Sequence, residues 1–143
     1  MKYQASIVVA LLLGAVVAPM AHAAEDARQK VELPEMMRQH MLGNMRDHLS
    51  ALHEIQTALA KGELDRAGDI AEERIGMSSL ISHNASHMAP YMPKGMQAIG
   101  TEMHHAASRF AMTAHEGDLV RALDGLSKVT QQCVACHTTY RVN

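Results

Sequence analysis

The chain is 143 residues long, enough for one domain with a real core and too short for two comfortable ones. Its formal charge of −2, from 13 Lys and Arg against 15 Asp and Glu, comes without a basic block or an aromatic-interleaved basic patch, which argues against a nucleic-acid binder. Twelve methionines stand against one Phe, three Tyr and no Trp, so flexible thioethers either fill the core or line an irregular, flat apolar partner.

The first residues read as an export leader. Lys2 is followed by the apolar run from Ile7 to Val17, then Pro19 and the small residues of Ala21-His22-Ala23, which predicts a signal peptide over residues 1–23 removed near Ala23. The run is too short for a comfortable membrane span and no later stretch is longer, so the expected product is an exported, periplasmic domain over residues 24–143 with no membrane span. An uncleaved N-terminal anchor is the alternative, and it leaves the domain unchanged.

Four segments then carry helical periodicity, and no strand-like alternation of useful length competes with them, so the expected class is all-α. The first runs from about Leu33 to Lys61, with Met41, Met45, His48, Leu52, Ile55 and Leu59 in one stripe that Leu42 and Leu49 widen. Gly62 supplies a stop, and Glu63 and Asp65 suit the start of a second helix, Leu64 to about Ser82, with Ile70, Ile75, Leu80 and Ile81 as apolar candidates. From His83 to Lys94 the chain holds Asn84, Pro90 and Pro93 and reads as an irregular connection. Pro93 opens a third helix expected to bury Met96, Ile99, Met103, Ala107, Phe110 and Ala114. Gly117 ends it and Asp118 caps a fourth, along which Leu119, Leu123, Leu126, Val129, Cys133, Cys136 and Tyr140 share one face. Four amphipathic helices with mostly short links predict an antiparallel, up-down-up-down four-helix bundle, whose core is a usual place for a cofactor.

The two cysteines of the chain occur as Cys133-Val134-Ala135-Cys136-His137, the C-x-x-C-H pattern of covalent haem attachment. On a helix, thiols at i and i+3 share a face and can reach the two vinyl groups of one porphyrin edge, while i+4 brings an imidazole under the iron. One haem c, bound by Cys133 and Cys136 with His137 as proximal ligand, is therefore expected. A thiol-disulfide redox site would usually follow a strand of an α/β fold, and none is visible. A thiolate metal site would need further ligands that the pair does not specify.

The fourth helix, the near-terminal motif and the following Tyr140-Arg141 together resemble the class II c-type cytochromes, that is, cytochrome c prime and its six-coordinate, low-spin relatives. The resemblance implies a four-helix bundle, a basic residue four positions after the haem histidine, here Arg141, and a homodimer as a possible assembly. It extends to Arg38-Gln39-His40-Met41-Leu42, where the family pattern implies Arg38 and Gln39 near the haem edge, Arg38 available to a propionate, and Leu42 over the distal face. Counting back from Ala60-Lys61-Gly62-Glu63 instead brings Met45 to that place, with Met41 four residues before it on the same face.

Methionine can coordinate iron and leucine cannot. Thioether ligation, by Met45 ahead of Met41, predicts a low-spin electron carrier working with redox partner proteins; Leu42 predicts an open iron that binds nitric oxide or another small diatomic gas. A non-haem periplasmic copper-binding protein is the reading from another class. It would use pairs such as His83 with His87 beside Met88, or His104 with His105 near Met103. His48 lies on the apolar face of the first helix and could serve iron or simply be an interior histidine. No nucleophile-base arrangement, phosphate loop or second metal motif is evident, so no enzyme is expected.

Overall fold

A computed structural model of the chain describes residues 25–142, so the leader expected over residues 1–23 lies outside the described residues. These residues are mostly helical, as the periodicity predicts. Helix α1 spans Glu35–Ala60, α2 Leu64–Arg74, α3 Ala85–Met88, α4 Lys94–His115 and α5 Leu119–Thr139. Helix α4 packs along both α5 and α2, and α2 packs along α1. No helix of the described residues is long and apolar enough to cross a membrane.

The breaks are built as the punctuation predicts. After α1, Gly62 takes φ +76°, and the Gly62 and Glu63 amides donate to the carbonyls of Leu59 (3.0 Å) and Ala58 (2.9 Å), the paired closure for which a left-handed glycine suits a helix end. Gly117 repeats the left-handed conformation at φ +79° before α5, whose Asp118 side chain accepts from the Arg121 amide at 3.1 Å. Pro93 stands immediately before α4.

Helix α2 stops at Arg74, eight residues short of the expected Ser82. The chain turns at Gly76 so tightly that a Cβ there would lie 2.8 Å from the Glu72 Cα, and the Glu72 carboxylate accepts from the Ser78 amide at 3.1 Å. A short 3-10 turn, Met77–Leu80, follows. Ile81, expected in the core, is consequently on the surface. Arg74 secures the end of α2 to α1, reaching Asp47 at 2.5 Å and Glu54 at 2.6 Å.

The main core lies among α1, α2, α4 and α5. It is made of small residues around a few large ones: Ala51, Ala58, Ala67, Ala71, Ala106, Ala107, Ala111, Ala114 and Ala122 surround Ile55, Ile75, Phe110 and Val129. Phe110 is fully buried. On α5 the buried stripe is Ala122, Leu126 and Val129, while Leu119 and Leu123 are exposed, against expectation. Leu49 of α1 is exposed as well.

Two three-residue strands were not expected. β1 (Gln29–Val31) and β2 (Tyr140–Val142) pair in parallel, with Gln29 opposite Tyr140 and Val31 opposite Val142. They tie the segment before α1 to the residues just after the C-x-x-C-H motif, and Val31 enters a second, smaller core.

Candidate functional site

The end of α5 carries the motif. Its helical backbone sets Cys133 and Cys136 one turn apart on one side and His137 next to them. Both thiols are free and half-buried. Cys133 packs against the main core, its Sγ 3.6 Å from the Val129 carbonyl oxygen. Cys136 packs instead against the second core, made of Val31, Met41, Met88 and Met96 and flanked by Met37 and Met92. Burial pushes both thiols above their ordinary pKa, so they stand protonated at neutral pH. His137 is exposed, and its backbone carbonyl accepts from Arg28 at 3.2 Å.

The strand pair frames this end of the helix. Tyr140 reaches the first turn of α4, where a Cβ on Gly95 would be 2.5 Å from its hydroxyl oxygen, so glycine is what admits the ring. Arg141, expected beside the haem, lies partly buried in β2 with its Nε 3.6 Å from the Asp26 carboxylate.

On α1, Glu35 gathers both residues expected at the haem edge. Arg38 donates to its two carboxylate oxygens at 2.8 and 2.7 Å, and Gln39 donates at 2.8 Å. The three distal candidates separate by burial. Met41 is 6% exposed and belongs to the cluster that Cys136 joins; Leu42 is half-buried; Met45 is 36% exposed. Met88, expected only beside a copper-binding His83 and His87, and Met92, not expected at any site, belong to the same cluster. Their signal was there in the sequence, since Met88, Met92 and Met96 recur every four residues through the Pro-rich connection.

Comparison with known proteins finds no match. No family model, no curated protein and no solved structure is similar enough to this chain to assign it. The site therefore stands on its own geometry. A groove of about 490 Å3 lined by Asp69, Glu72, Glu73 and His115 runs between α2 and α4, but it contains neither thiol nor any distal candidate.

The histidines distribute unlike the expected pairs. His83 is buried and His87 exposed, where it hydrogen-bonds Asn84; His104 is buried and His105 exposed. The buried ones meet His48 instead. Ring centroids are 4.7 Å apart for His48 and His83, 5.4 Å for His83 and His104, and 6.1 Å for His48 and His104. Desolvation lowers all three pKa values, that of His48 from 6.5 to about 4, with His83 and His104 adding to the shift, Asp47 opposing it and Arg74 reinforcing it.

Acid should therefore weaken the fold in a defined window. The unfolded chain takes up the His48 proton near pH 6.5 and the folded chain only near 4, so the unfolded state binds more protons in between and stability falls as pH falls. The loss attributable to His48 is on the order of 3 kcal/mol by pH 4. Denaturant titrations between pH 7 and 4 should show it, and His48→Leu should flatten the slope; an equally steep slope in that variant would contradict the assignment.

Proposed function

We propose that this chain is an exported c-type cytochrome that holds one haem covalently through Cys133 and Cys136, takes His137 as its proximal iron ligand, and works as an electron carrier rather than an enzyme. The observation that carries the reading is the donor set on α5: two free, half-buried thiols one turn apart, an adjacent exposed imidazole, and a methionine-lined apolar cluster against the second thiol. These residues fit the group. Each thiol can add across one vinyl group, its hydrogen passing to the neighbouring vinyl carbon as the S–C bond forms, with no net oxidation. Haem iron would supply the one-electron chemistry, and His137 together with the surrounding apolar side chains would hold and tune it.

The same proposal reads α1, α2, α4 and α5 as an antiparallel, up-down-up-down bundle, supported by the packing of α1 on α2, α2 on α4 and α4 on α5. Its partners are redox proteins in the periplasm, and a homodimer is compatible with the resemblance to class II cytochromes. Arg38 is the side chain proposed for a haem propionate, with Gln39 and Arg141 as further haem-contacting candidates.

For the distal face we place Met41 ahead of Met45, because Met41 is buried in the cluster that Cys136 joins and Met45 is at the surface. A vacant sixth position under Leu42, open to nitric oxide, is the second reading, and the exposure of Met45 is what favours it.

Expression in an exporting, haem-maturing host tests both levels. Denaturing mass spectrometry of the wild type should show retained porphyrin, and a colourless, porphyrin-free product would overturn the proposal. Met41→Ala should convert a low-spin spectrum to a high-spin one and let the ferrous form bind carbon monoxide. A wild type that is already high-spin and binds carbon monoxide readily would move the open-site reading ahead.

A further inference from the structure

We propose that His48, His83 and His104 form a binding site for one borderline divalent first-row ion, Zn(II) or Cu(II), built apart from the C-x-x-C-H motif. The three rings come from α1, from the segment before α3 and from α4, and each residue is less than 9% exposed.

Hydrogen bonds decide which nitrogen is left over in two of the rings, His83 and His104. The Ser79 hydroxyl donates its proton to the Gly76 carbonyl at 2.7 Å, so at 3.2 Å from His83 Nδ1 its oxygen can only accept. His83 therefore carries its proton on Nδ1 and keeps a lone pair on Nε2. His104 Nδ1 lies 2.5 Å from the Ile75 carbonyl oxygen, which can only accept, so the same tautomer follows. His48 Nε2 is buried with no hydrogen-bond partner.

A metal-binding histidine typically donates its other ring N–H to a carbonyl or similar acceptor, which is the arrangement at His83 and His104. Position is secured too: the His83 carbonyl accepts from His40 at 3.0 Å and from Asn44 at 3.1 Å, both on α1.

Spacing agrees with shared ligation. Three imidazoles on one ion, at metal–nitrogen distances of about 2 Å, hold their ring centres about 5 Å apart. The observed separations of 4.7, 5.4 and 6.1 Å bracket that value. As the side chains stand, no group of three or more His, Cys, Asp or Glu among the described residues is arranged to hold a metal ion. Small turns of the rings about their broad terminal torsions, within the reach of the Ser79 and Ile75 hydrogen bonds, are the adjustment an entering ion would require.

Without an ion, three desolvated imidazoles in contact are a cost with little return. Neutral rings, kept so by burial, are the ligand form; the nearby Asp47 carboxylate is already paired with Arg74 at 2.5 Å. Imidazole nitrogens with no thiolate among them suit Zn(II) or Cu(II).

The test uses the haem-loaded chain, stripped with chelator, desalted and titrated with Zn(II) and separately with Cu(II). We expect one ion per chain after desalting, a raised melting temperature on loading, and multiple imidazole nitrogens coupled to Cu(II) by electron paramagnetic resonance. His48→Ala and His104→Ala should each weaken binding about 100-fold, and Ser79→Ala, which keeps all three rings but releases the His83 tautomer, about 10-fold. His105→Ala should bind as the wild type does. No stoichiometric binding, or binding lost only in His115→Ala beside Asp65 and Asp69, would overturn the site. So would a His48→Ala variant whose haem absorption bands shift, because that ring would then serve the iron.

Discussion

On the proposed function, replacing Cys133 and Cys136 together by alanine is expected to abolish covalent haem attachment while leaving the helices intact. The chain contains no other cysteine, so no other thiol can form a thioether. Cys133 is partly buried at the edge of the main core and Cys136 at the edge of the second, and neither is among the fully buried residues, so trimming each to alanine removes little packed volume. The single variants should each retain one thioether, and the double variant should keep at most a dissociable haem held through His137. Denaturing mass spectrometry reads the difference directly, with circular dichroism as the control for folding. Retained porphyrin in the double variant would sink the assignment of both cysteines.

The largest loss of stability is expected from Phe110→Ala. Phe110 is the one phenylalanine of the chain and is 0% exposed. It sits where α4 and α5 come close: a Cβ on Gly125 would lie 3.4 Å from the Phe110 Cα and 3.5 Å from its Cβ. The core cluster it belongs to is mostly alanine, whose side chains are too short to reach into a vacated ring site. A cavity would therefore persist, and the substitution should cost about 3–5 kcal/mol, a large part of a typical domain's 5–15 kcal/mol. Urea unfolding should show a lower midpoint with an unchanged slope. A loss below about 1 kcal/mol would mean that the helices close over the gap, contrary to the packing described.

Local chemistry made much of this fold legible in advance. Gly62 and Gly117 adopt the left-handed conformation that glycine tolerates best, Asp118 caps the helix it precedes, and Pro93 stands before α4. The α4 core was readable because Met96, Met103, Ala107, Phe110 and Ala114 recur on one face, and all five are buried. In α5 the same reasoning chose Leu119 and Leu123 over Ala122, because periodicity ranks residues by apolarity. Close approach of α4 and α5 at Gly125 instead favours a small residue inside.

By itself the sequence determined the helical class and the helix boundaries at Gly62, Pro93, Gly117 and Asp118, because each depends on residues within a few positions of one another. Only the tertiary structure decided the rest. The parallel pairing of Gln29–Val31 with Tyr140–Val142 joins segments separated by nearly the whole chain, and three residues carry no periodicity to announce it. Met41 and Met45 lie only about 40° apart on a helical wheel, yet one is buried in the cluster beside Cys136 and the other is at the surface. His48, His83 and His104 meet because α1, α4 and the segment between α2 and α3 converge in space, a relation that no spacing along the chain encodes.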